Sequence, residues 1–66
     1  MDRYIVMLSC SSCTTGTDFK KENDEEAVRS FDDMIASYNR DRVFIVEAHL
    51  TNTRTGKIVK EFSSSS

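Results

Sequence analysis

Proline and tryptophan are absent from this chain of 66 residues, glycine occurs twice and histidine once. Each shortage closes off a class of function. Gly16 and Gly56 stand far apart, so no glycine-rich loop exists to cradle a phosphate. A hydrolase needs a positioned nucleophile and an oxyanion site beside its base, and nothing around His49 spells these out. No stretch approaches the roughly 18 apolar residues of a membrane span. No catalytic activity is expected.

Size restricts the chain further. A domain this short lies near the lower limit for folding without staples. Hydrophobic residues make up 38% and charged residues 30%, a globular rather than disordered balance. A cleft that encloses a drug-sized ligand is hard to build inside such a monomer. Function is therefore expected on a surface, or where copies of the chain meet.

Net charge is −2, which disfavours nucleic acid as a partner, since such proteins neutralise phosphates with lysine and arginine. The charge is uneven. Asp18 to Asp33 holds seven acids against three bases, whereas Met34 to Ser66 holds five bases against three acids. Such asymmetry suits an electrostatically steered partner surface, although a solvated helix face gives the same count and is the plainer reading.

Tyr4 to Ser9 reads as a short apolar strand. Ser11 to Gly16 is turn chemistry, and Thr17 to Lys20 is the expected returning strand, anchored by Phe19. Asn23 can cap a helix, with Glu26 completing a capping box and acids at the positive end of the dipole. Ala27, Val28, Phe31, Met34, Ile35 and Tyr38 recur at intervals of three and four and form one stripe. Asn39 can end this helix in a left-handed conformation. Val43 to Leu50 is a β-branched apolar run; Thr53 to Lys57 turns the chain, with Gly56 at a positive φ, and Ile58 to Phe62 returns. The expected fold is α+β, a ββαββ domain over 1–62 with a mainly antiparallel sheet and the helix on one face. The serine run 63–66 is expected to fray.

Strict alternation through the last two strands puts Phe44, Val46, Ala48, Leu50, Ile58 and Phe62 under the helix. Val43, Ile45, Glu47, His49, Thr51, Val59 and Glu61 then share the outer face. The first strand is apolar on both sides, so it adds either Tyr4, Val6 and Leu8 or Ile5 and Met7 to that face. An open sheet normally keeps its outer face polar, and apolar groups there mark an interaction surface. Val43, Ile45 and Val59 are thus candidates for self-association, and Asp32 and Asp33 on the helix for a basic partner surface.

Three weaker patterns remain. Cys10-Ser11-Ser12-Cys13 is a C-x-x-C, a spacing found in redox dithiols, local disulfides and half zinc sites. With His49 it makes a thin metal set, and a reduced pair of small residues at a turn is the plainer reading. His49 is expected beside Glu61 across the hairpin, as a surface ion pair. Arg40, Arg42 and Lys60 offer an alternative function, holding a nucleotide-type anion at a subunit junction. Met7 to Cys10 faintly resembles a lipoprotein cleavage site. The apolar run before it is only five residues and Asp2 weakens its leader, so a cytoplasmic protein is expected.

In size and layout the chain resembles accessory proteins of phages and mobile elements, including inhibitors of host defence. That resemblance implies a small, homo-oligomeric, cytoplasmic inhibitor that occupies a surface of a larger protein and carries no cofactor.

Overall fold

The computed structural model describes residues 1–11 and 13–64. Elements follow the order β1 (Asp2–Cys10), β2 (Thr14–Lys21), α1 (Asp24–Arg40), β3 (Ile45–Asn52) and β4 (Lys57–Ser63). All neighbouring strands are antiparallel, and the sheet order is β2-β1-β3-β4. The fold is the expected ββαββ, with the first-made strand in the middle.

The helix forms where capping chemistry and periodicity agree. Asn23 is extended, and its side chain accepts a hydrogen bond from the Glu26 amide at 2.9 Å. Asp24, Glu25 and Glu26 occupy the first turn and Arg40 the last, both signs favourable to the dipole. Ala27, Phe31 and Ile35 are buried, with Val28, Met34 and Tyr38 packed at the margins of the core. The end comes later than the sequence suggests. Asp41 is the C-cap, and the positive φ falls at Arg42 (62°) rather than at Asn39.

In β1 the choice left open by its two apolar faces is decided: Tyr4, Val6 and Leu8 are buried beneath the helix. β2 is longer than expected, since its threonines pair with β1 as far back as Thr14. Beneath the helix, β3 contributes Ile45, Ala48 and Leu50.

The two strands of the C-terminal hairpin depart from simple alternation. Against β1, Ser9 faces Glu47 while Cys10 faces Ile45, so Val46 is an extra residue. Against β3, Lys60 faces Leu50 while Ile58 faces Thr51, so Val59 is another. Each bulge shifts the inside–outside parity by one residue. Ile45 is therefore core, at 2% exposure, and Phe44 and Val46 are exposed at 63% and 41%. Ile58, expected inside, is 51% exposed. Val59, expected outside, packs against the core, and Val43 is half-buried where its amide bonds the Tyr38 carbonyl at 2.9 Å.

Gly56 has the expected positive φ, 73°, and its amide bonds the Asn52 carbonyl at 2.8 Å. Asn52 faces Lys57, so the turn is longer than the loop of Arg54 to Gly56, closed by Thr53 and Lys57, that the sequence suggests. The serine run is tied further than expected. Ser63 pairs with Glu47 and the Ser64 amide bonds the Val46 carbonyl at 2.9 Å, while the last two serines lie outside the described residues.

Candidate functional site

The face of the sheet opposite the helix is built from alternate residues of four strands. One row across it runs Asp18, Ile5, Thr51, Ile58, and the next runs Gly16, Met7, His49, Glu61. Ile5, Met7 and Ile58 supply its apolar content; Met7 is 45% exposed and Ile58 51%. Gly16 leaves room for the Met7 side chain, whose sulfur would lie 3.3 Å from a Cβ placed there. The candidates Ile45 and Val59 are not on this face, because of the two bulges. The apolar surface expected there exists, but other residues make it.

Charges surround the patch. Arg3 holds Asp18 through Nε at 3.0 Å and through a second guanidinium nitrogen, which keeps the Asp18 carboxyl below its usual range. His49 faces Glu61 in register, as expected, but its Nε2 lies 3.1 Å from Glu47 on its own strand. Both groups of that pair are open to water, so it is an ordinary surface contact.

Sequence reasoning missed the most connected polar cluster, at the other end of the sheet. Asn52 is 2% exposed. Its Nδ2 donates to Asp2 and to Asp24, each at 3.2 Å, and its Oδ1 accepts from the Arg54 amide at 2.8 Å. The Tyr4 hydroxyl donates to Asp24 at 2.5 Å, and Arg54 Nε donates to Asp2 at 2.9 Å. Burial, and then this bond to Asp24, push the Tyr4 phenol up to about 12. The Asp2 carboxyl is lowered, chiefly by its hydrogen bond from Arg54 and then by Asn52; the same contact raises Arg54. The cluster joins β1, the start of α1 and the β3–β4 turn. Among the described residues no buried polar side-chain atom lacks a partner, so the cluster is a clamp already satisfied internally. Its only sequence signal was an Asn before a turn, which is common turn chemistry.

The other candidates are scattered. Lys60 Nζ bonds Asp32 at 2.8 Å, both half-exposed, so each partly neutralises the other. Asp33 is exposed beside it. Arg40 ends the helix and Arg42 occupies the left-handed turn after it; no polar contact among the described residues links either to Lys60. Cys10 and Cys13 form a disulfide, correcting the reading of a reduced pair. Among the described residues no three cysteine, histidine or carboxylate groups are placed to hold a metal.

No protein-family model, no curated protein and no solved structure matches this chain. Among the described residues no helix is long and apolar enough to cross a membrane.

Proposed function

We propose that the chain is a non-enzymatic binding protein that works as a homo-oligomer and lays its outer sheet face on a larger macromolecule. The observation that carries this reading is the patch of Ile5, Met7 and Ile58 on the face away from the helix. A small domain with no helix over that face leaves apolar groups in water that an interface would bury. Arg3, Asp18, Glu47 and Glu61 give the patch a polar rim of both signs, and Asp33 adds an acidic flank suited to a basic partner surface. An inhibitor of the phage or mobile-element type, directed at a host defence protein, fits this economy of design. The cytoplasm is the compartment this reading implies. A reducing pool would open the Cys10–Cys13 bridge there, and a closed bridge in protein taken directly from cells would point to an oxidising compartment instead.

The test uses the double variant Met7→Lys/Ile58→Lys. Both positions are exposed, so stability should stay within about 0.5 kcal/mol of wild type. Wild-type protein on a column should retain a defined partner from cells that harbour it, and the double variant should lose that partner. Equal retention by both proteins would remove the outer face from the function.

A further inference from the structure

The two edges of the sheet are unlike. Both carry two lysines, Lys57 and Lys60 on β4 and Lys20 and Lys21 on β2, but β4 is also broken by the bulge at Val59. β2, on the other edge, stays in unbroken register with β1 from Asp2↔Lys21 to Ser9↔Thr14. It has no bulge and no proline, and every residue from Thr14 to Asp18 is exposed. Among the described residues no strand pairs with its outer side.

One bond tells which backbone groups lie free along it. The Cys10 amide donates to the Cys13 carbonyl at 2.8 Å, which makes these two a hydrogen-bonded pair of the hairpin. Such pairs alternate along an antiparallel ladder. Thr15, Thr17, Phe19 and Lys21 therefore turn their amide and carbonyl groups toward β1. Thr14, Gly16, Asp18 and Lys20 turn theirs outward. The Thr53 amide, donating to the Arg3 carbonyl at 3.0 Å, agrees with this phase, since Arg3 must then face β3.

A second copy docking antiparallel across a two-fold axis has to join outward-facing residues to outward-facing residues. Three axes are central enough to consider. An axis at Asp18 sets that acid against its own symmetry mate, which is repulsive. An axis at Thr17 sets Asp18 against glycine and Lys20 against threonine, leaving both charges without a counterpart. An axis at Phe19 sets Asp18 against the partner's Lys20, twice, and brings the two Phe19 rings together on the helix side. Arg3 bonds only Oδ2 of Asp18, so Oδ1 remains available to a lysine from the other copy.

The geometry points to a second copy of this chain as the occupant of the β2 edge, paired antiparallel about Phe19 with Asp18 and Lys20 meeting across the axis. Two four-stranded sheets then become one continuous sheet. This inference rests on the reading that the chain works as a homo-oligomer, and it names the surface that joins the copies. The outer face stays free for the larger partner.

Lys20→Asp is the informative substitution. Within one copy Lys20 faces Arg3 across the strands, so an acid there relieves a like-charge pair and should leave thermal stability equal or higher. Between copies it sets Asp against Asp, twice, and should weaken dimerisation about tenfold, measured by sedimentation velocity on the full chain. Asp18→Lys/Lys20→Asp together should restore the wild-type constant. A dimer unmoved by Lys20→Asp would overturn the edge assignment while the oligomer reading stands. A wild-type monomer at the highest soluble concentration would overturn both. Should the double variant fold poorly, Lys20→Asp alone decides through its opposite effects on fold and assembly.

Discussion

The N-terminal hairpin runs through eight facing pairs without a slip, whereas β3 carries one extra residue against β1 and β4 another against β3. The same alternation rule therefore succeeds in one hairpin and fails in the other. In β1 alternation holds unbroken, with Tyr4, Val6 and Leu8 together on one face, although which face turns inward was left open. In β3 and β4 it inverts Ile45, Val46 and Ile58. Side-chain facing is a property of the pairing, and a strand's own residues do not carry it alone.

The sharpest way to break this contrast is to charge two isoleucines of the C-terminal hairpin. Ile45→Lys buries an unpaired ammonium and should cost on the order of 3–5 kcal/mol, enough to unfold much of so small a domain. Ile58→Lys, half in water, should change stability by no more than about 0.5 kcal/mol. Urea melts of the two variants give the answer. Equal losses would mean that the bulges are misplaced.

Asn52→Ala tests whether the two hairpins are held together at one end by the buried clamp. Its partners on β1 and α1 would lose their donor, for a loss of about 1–3 kcal/mol. A loss confined to the β3–β4 turn, seen as faster amide exchange there with unchanged melting, would restrict Asn52 to local turn formation.

The glycines give the smallest and cleanest comparison, one in each hairpin. Gly56→Ala forces a side chain into the left-handed region and should cost about 1 kcal/mol. At Gly16 the added methyl meets the movable sulfur of Met7 at 3.3 Å and the Val6 carbonyl only at ordinary contact distance, so Gly16→Ala should stay within about 0.5 kcal/mol in thermal melts. A larger loss at Gly16 than at Gly56 would reverse the ranking of the two hairpins.

What was legible follows from the range of the forces involved. The α1 cap at Asn23, its Ala27–Phe31–Ile35 stripe and the positive φ of Gly56 depend on residues within a few positions, and all three stand as read. The pairs Ala48–Phe62, His49–Glu61 and Leu50–Lys60 were also recoverable by counting outward from the turn. Nearer the turn the count fails, since Thr51 faces Ile58 rather than Val59 and Asn52 rather than Thr53 faces Lys57. The Val59 bulge answers to packing against the core and the Val46 bulge to β1, far away in the chain. The apolar outer face was thus foreseeable as a surface, while its residues were not. Lys60 was read as an anion ligand; paired with Leu50 it lies on the helix side, where Asp32 receives it. Cys10 and Cys13 were identifiable as a pair but not as a bridge, since spacing leaves the oxidation state open.

Because β1 sits between β2 and β3, the sheet is completed by a contact between the chain's beginning and its last third, Tyr4 against Asn52. Each hairpin can form from neighbours in sequence, but neither has anything to bury until that long closure is made. Loop entropy charges most of its toll there, ahead of the contacts that reward it. The folding rate should then respond to changes along the β1–β3 seam and hardly at all to the Gly56 turn, whose defects would appear as faster unfolding. Half of this molecule is not a smaller version of the whole; cut between the hairpins, it has no core to keep.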